Sequence, residues 1–229
     1  MRQLLLDLLP ETPPSLDNFV AGCNEEALAG LTDWLSPNNR EASLLLWGEG
    51  GAGKTHLLRA SGAAYQDALA DPDLGAIEAD LIADDSQKPR FQAVDNVETL
   101  SASGQIVLFN LYNRVRAAGG RLLTSATQPP SQLDLREDLR TRLGQGLIYH
   151  LHALTDDQMI DALRAHAASR RLRLPPESLD YLFARAPRDM RSLMDLLGAL
   201  DRYSLEHKRA ITLPLLREVL MTPAELQSS

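Results

Sequence analysis

The glycine-rich octapeptide Gly48-Glu49-Gly50-Gly51-Ala52-Gly53-Lys54-Thr55 directly follows an apolar run, Ser43 to Trp47, and directly precedes a helical pattern. No other segment constrains the fold as strongly. Its form, G-x-x-x-x-G-K-[ST], suits a strand-to-helix turn in which glycines let backbone N–H groups curl around an anion at a helix N-terminus. In that setting Lys54 reaches the outer phosphates of a bound nucleotide, and Thr55 ligates its magnesium ion. The flanking strand and helix raise this above a bare pattern match.

The rest of the chain supplies the elements such a loop needs. Helix is expected from 54 to about 70, and 76–82 and 91–94 are weaker strand candidates. Residues 105–118 read as a helix that stops at Gly119-Gly120, and 121–124 and 147–151 as strands. Strands alternating with helices imply an α/β domain with a parallel sheet covered on both faces. After Leu154 the pattern turns purely helical. Thr155-Asp-Asp-Gln158 is a capping-box start, Pro175-Pro176-Glu177 opens a second helix, 188–206 forms a third and Thr212-Leu-Pro214 begins a short fourth. The expected organisation is a terminal peptide and linker over 1–15, a sheet domain over 16–154 and a small all-α domain over 155–229, with the folded body starting near Asp17.

Composition narrows the function class. The 229 residues, 44% hydrophobic and 24% charged, suit a globular domain with a small appendage. A net charge of −8 argues against coating nucleic acid, since nonspecific binding rests on neutralising phosphates with cations. The acidic excess lies before Leu154, much of it in 67–98, where nine acids face Lys88 and Arg90, and it reads as a solvated surface. Cys23, the single cysteine, can form no internal disulfide. The apolar opening of the chain is short, broken by Asp7 and closed by Pro10, so neither a membrane span nor a secretory signal is expected, and a cytoplasmic location is.

A phosphate loop needs an acid at the end of a second strand, and Phe91-Gln-Ala-Val-Asp95-Asn96 supplies one in Asp95. Many ATPases follow it with a further acid that activates water, but here the residue is Asn96, which cannot accept a proton at neutral pH. Nucleotide binding is thus better supported than brisk hydrolysis; a helix-cap role for Asp95 and Asn96 is the alternative. Arg142, before the last strand, could project into a neighbouring subunit's phosphate site or pair with Asp138. Arg191 opens a helix of the small domain, from which it could reach back to the nucleotide. His150 and His152 share a strand face without a third ligand nearby, and Trp34 and Trp47 are expected in the core.

Taken together, the chain resembles the AAA+ branch that contains the bacterial replication initiator DnaA, and within it the truncated DnaA homologues called Hda. The residues that carry the resemblance are Leu16-Asp-Asn-Phe-Val-Ala-Gly22, the loop through His56, Val94-Asp-Asn-Val97, Phe109-Asn-Leu-Tyr-Asn113, the stretch 122–133 with Pro129-Pro130, Leu139-Arg-Thr-Arg-Leu-Gly144 and Asp189-Met-Arg191.

The resemblance implies an AAA+ sheet domain followed by a helical lid. It places Phe19 and Val20 at the adenine and gives Lys54, Thr55 and Asp95 the nucleotide and Mg2+ roles, with Asn96 and His56 beside them. Arg142 takes the place of an arginine finger and Arg191 that of the lid's sensor arginine, while Thr127 stands where the family's first sensor would carry an aspartate or asparagine. The terminal Gln3-Leu4-Leu5-Leu6-Asp7-Leu8 resembles the peptide with which Hda proteins grip the DNA polymerase sliding clamp, Gln3, Leu4, Leu6 and Leu8 filling its groove. The resemblance further implies ADP or ATP as ligand, ADP foremost, and DnaA and the clamp as partners. DNA is then met only through the clamp, with no membrane and with self-association open. The stretch after Tyr203 has no room for the helix-turn-helix domain that ends DnaA. The expected function is negative regulation of replication initiation, by stimulating ATP hydrolysis in DnaA in trans. The alternatives are a helicase-loader or transposition-helper ATPase acting in cis, and an adaptor with a vestigial nucleotide site.

Overall fold

A computed structural model describes residues 13–83, 91–169, 172, 175–185, 189–207, 211, 212, 214 and 216. The chain divides between Ala153 and Leu154 into two compact units.

In the first unit, α1 (Glu25–Leu35) precedes β1 (Ser43–Trp47), α2 (Lys54–Ala60), β2 (Ala64–Asp67), α3 (Gly75–Ala83) and β3 (Phe91–Asp95). A 3-10 turn, Val97–Thr99, leads to α4 (Ala102–Ala117), β4 (Arg121–Ala126), a second 3-10 turn, α5 (Glu137–Leu143) and β5 (Leu147–His150). All pairings are parallel and the sheet order is β2-β3-β4-β1-β5. β1 is therefore an interior strand between β4 and β5, with Leu44 opposite Leu147 of β5 and Trp47 opposite Ala126 of β4.

Alternation along the strands decides which helices cover which face. Leu45, Val94 and Leu122 pack with Ile77 of α3, Leu108 and Leu111 of α4 and Leu139 of α5. Leu44, Leu46, Ala93 and Leu123 point the other way, onto Leu31 and Trp34 of α1 and Leu57 and Leu58 of α2. Truncating one of these buried leucines to alanine costs about 2–5 kcal/mol.

Two expectations are corrected. The helix after the glycine loop ends at Ala60 rather than near 70, because Gly62 turns the chain at φ 79°, and 64–67 become edge strand β2. Residues 76–82 are helix α3 rather than a strand: Leu74, Ile77 and Leu81 recur at helical spacing and pack onto α4's side of the sheet. The second concerns a short segment in which strand and helix periods look alike until a partner is known. Trp34 is fully buried, but Trp47 is only half-buried and stacks on His150 at 3.7 Å between ring centroids.

The second unit has its own apolar core. Its helices α6 (Asp156–Ser169), α7 (Pro176–Arg185) and α8 (Met190–His207) meet through Met159, Leu163, Leu182, Phe183, Leu193 and Leu197. The capping box forms: Gln158 N donates to Thr155 Oγ1 at 3.3 Å and Thr155 N to Gln158 Oε1 at 2.9 Å. Asp189 caps α8 by accepting from Ser192 N at 2.9 Å.

Candidate functional site

The octapeptide leaves the C-terminal end of β1 and enters α2, as its sequence requires. Gly48 N donates to Ala126 O at 3.1 Å, which ties the loop to β4. Only glycine fits at Gly48, where φ is 152° and a Cβ would lie 2.0 Å from Leu151 O. Gly53 caps α2 in the left-handed region at φ 90°, and a Cβ there would meet the Phe19 ring at 2.6 Å. The loop is thus clamped between the chain beyond β5 and the segment that precedes α1.

Lys54 is buried, and its ammonium donates to Gly48 O at 2.5 Å and Glu49 O at 2.9 Å. A third N–H finds no protein acceptor among the described residues, so one donor remains for a phosphate oxygen. Burial lowers its pKa, and Glu98, Asp95 and Glu49 oppose that shift. A buried cation inside a curled glycine loop is the setting a nucleotide's phosphates fit, and Thr55, in the first turn of α2, is half-buried beside it. Glu49, Gly50 and Gly51 are exposed at the loop's outer rim and Ala52 is buried beneath it.

The Asp95 carboxylate, at the end of β3, has no solvent exposure. Ser125 Oγ donates to Oδ1 and Tyr65 OH donates to Oδ2 at 2.8 Å. Burial and Asp95 together push the Tyr65 phenol's pKa up, so it stays a donor. Asn96 takes a left-handed conformation, φ 57°, its N–H donates to Ser125 Oγ at 3.0 Å and its amide donates to Asp67 Oδ1 at 2.9 Å. That amide is committed to β2 rather than to a water at the loop. Its side chain makes no capping bond to the 3-10 turn it precedes. Within that turn, Glu98 carries a buried carboxylate oxygen, Oε2, without a hydrogen-bond partner among the described residues.

Phe19 and Val20 are half-buried, and Phe19 lies 5.5 Å from the His56 ring. His56 Nε2 bonds Ser15 O at 2.9 Å, which holds the entering chain over α2. Thr127 is exposed just past β4; Ser125, two residues earlier and fully buried, is the β4 side chain that meets Asp95. Arg142 ends α5, and the chain then enters β5 at Leu147, opposite Leu44 near the start of β1. Roughly 15 Å of strand separates that edge from the glycine loop. Arg142 Nη1 donates to Gln145 Oε1 at 3.4 Å, while Asp138 pairs with Arg136 at 2.7 Å.

Comparison with known proteins places this arrangement. The family model described as the Hda lid domain matches residues 156–220. An uncharacterized protein of Haemophilus influenzae is 31% identical over 228 residues, covering 96% of this chain and 98% of that protein. The chain belongs to the Hda family of DnaA homologues. Domain III of Thermotoga maritima DnaA superposes with a TM-score of 0.68 at 20% identity, over 93% of this chain and 100% of that one. AMPPCP-bound DnaA from Aquifex aeolicus gives 0.64 at 21% identity, over 87% and 71%. The fold is thus AAA+, a parallel sheet domain followed by an Hda lid.

In this Hda-family chain Arg191 is the second residue of α8, in the second unit, and its side chain lies outside the described part. Gln3, Leu4, Leu6 and Leu8 lie outside the described residues. Tyr65, Ser125 and Glu98 are site residues that sequence reasoning missed. Tyr65 was hidden by reading its segment as helix; Glu98 had a visible signal, an acid two positions after Asn96. Among the described residues no group of three His, Cys, Asp or Glu could hold a metal by itself. No described helix is long and apolar enough to cross a membrane.

Proposed function

We propose that the chain binds a nucleotide at the glycine loop and, as a negative regulator of replication initiation, presents Arg142 to ATP held by DnaA. The observation that carries this reading is the placement of Arg142 at the sheet edge opposite its own loop. A guanidinium there is out of reach of the chain's own phosphates and free to meet those of a neighbour. Arginines supplied in trans contribute several orders of magnitude to phosphoryl transfer by offsetting charge that develops in the transition state.

In the chain's own site, Lys54 and the loop N–H groups hold the phosphates, and Phe19 and Val20 border the base. Thr55 and Asp95 would hold the Mg2+ that accompanies the nucleotide, and the ion would offset the charge of the phosphates. ADP is the proposed resident ligand, with Arg191 closing the lid on it. The AMPPCP complex of DnaA supports nucleotide binding in a site of this fold. The amide of Asn96, held by Asp67, supports weak hydrolysis in cis. Residues 3–8 tether the chain to the DNA-loaded sliding clamp, which explains how an acidic cytoplasmic protein reaches DNA.

Arg142→Ala tests the reading: clamp and ADP binding are expected to persist while stimulation of DnaA's ATPase is lost. Full stimulation by that variant overturns it. A cis-acting ATPase of helicase-loader or transposition-helper type is the second reading, and Glu98 is the observation that favours it. Its buried, unpartnered oxygen could serve as the base that Asn96 cannot be. Clamp-independent turnover by the isolated protein, abolished in Glu98→Gln, would establish that alternative.

A further inference from the structure

At the edge of the sheet where β1, β4 and β5 begin, a cleft of about 810 Å3 is lined by Arg40, Arg116, Arg121 and Arg142, with Glu41 as its one acid. This inverts the balance of a chain with 31 acidic and 23 basic residues. Arg121 forms a fixed wall: its Nη2 donates to Ser36 O at 2.6 Å and Asn39 O at 3.0 Å, and its guanidinium lies 5.7 Å from the Trp34 ring. Arg142 lies 5.9 Å from the Tyr112 ring, and its only described polar partner is the neutral Gln145. Arg40 and Arg116 are exposed, and among the described residues neither they nor Arg142 pairs with a carboxylate.

Helix ends account for part of this. Arg116 and Arg142 occupy the last turns of α4 and α5, where a cation offsets the negative end of the helix dipole. That explains one arginine per helix, but not why both helix ends converge with a strand arginine and a loop arginine on one cleft. Gathered cations repel one another, and a concave site lined with one sign of charge concentrates the opposite sign. Guanidinium groups bind phosphate oxygens in a bidentate fork, which ammonium groups cannot do.

We propose that this cleft is a polyphosphate-binding site in which Arg40 and Arg116 act together with Arg142 on the phosphate chain of a nucleotide presented by another protein. The identity of the presenting protein rests on the reading given above; the anion site itself does not. Arg121 shapes the cleft and adds charge, while the exposed Arg40 and Arg116 donate to the ligand.

The test has two arms. In the first, the full chain saturated with a fluorescent ADP analogue is titrated with inorganic tripolyphosphate at about 50 mM salt, where surface charge is weakly screened. Saturable binding without displacement of the analogue is expected. An Arg40→Ala/Arg116→Ala variant should weaken it at least about tenfold, as loss of charge-assisted bonds to phosphate predicts. Equal binding by that variant, or binding only with displacement of the analogue, overturns the site. In the second arm, Arg116→Ala is assayed for stimulation of DnaA's ATPase, and a loss of about tenfold or more is expected. Full stimulation with tripolyphosphate binding weakened would show that the cleft takes free polyphosphate, and overturns the partner's nucleotide as its ligand. If Arg142→Ala retains stimulation, the broader functional reading falls while the first arm still decides the anion site.

Discussion

The Tyr65 hydroxyl donates to Asp95 Oδ2 at 2.8 Å, from edge strand β2 onto the end of β3. With Ser125 on Oδ1, both oxygens of a fully buried carboxylate are held by neutral hydroxyls. Burying a carboxylate is costly unless its acceptors are filled, so β2 contributes to the site although β3 and β4 separate it from the strand that carries the glycine loop.

Tyr65→Phe removes one of those donors and leaves Oδ2 unpaired. The expected cost is about 1–3 kcal/mol of stability, read as a fall of several degrees in thermal midpoint. Magnesium with ADP should recover more of that loss than it adds to the unaltered chain, since Oδ2 becomes available to the ion's shell. An equal Mg-ADP shift in both proteins would show that Asp95 does not face the ion.

Lys54 gives a signed pH dependence. Its pKa is lowered from 10.5 mainly by burial, so near that value the unfolded chain binds more protons than the folded one. Stability from this group therefore rises with pH as the pH climbs through the folded pKa toward 10.5. Phosphates beside the ammonium should return its proton, so ADP binding between the lowered folded pKa and 10.5 takes up protons, measurable by calorimetry in buffers of different ionisation enthalpy. Lys54→Ala should abolish the uptake together with most of the binding.

Gly48→Ala and Gly50→Ala separate geometry from composition within one loop. The first places a Cβ 2.0 Å from Leu151 O at φ 152° and should cost about 2–4 kcal/mol, with loss of nucleotide binding. The second meets nothing within 4 Å and should change stability by about 0.5 kcal/mol or less. Denaturant titration of the two variants checks the contrast.

Asn96→Asp restores the acid that many ATPases carry, but its environment argues against a gain in activity. The new carboxylate would replace an amide that donates to Asp67 at 2.9 Å and would face that carboxylate directly. Like charges raise the pair's folded pKa, so the stability it loses, about 1–2 kcal/mol at pH 7, should return as the pH falls through the carboxylate range. A large rise in intrinsic ATPase would show that the side chain leaves Asp67 and reaches the loop.

The sequence by itself determined the phosphate loop, the buried strand before it, the switch to an all-helical second unit and the Hda resemblance. These rest on local chemistry: glycine's access to positive φ at Gly53, apolar periodicity, and the capping box at Thr155. Tertiary structure decided what depends on which strand lies beside which. Only sheet pairing shows that 64–67 is a strand, and hence that Tyr65 and Ser125 grip Asp95 from both neighbouring strands. Only the parallel order of β1 and β5 sets Arg142 at the edge away from its own loop, beside arginines that are far from it in the chain. Local pattern fixes an element's type, but the company a side chain keeps is set by long-range pairing, which leaves no local trace.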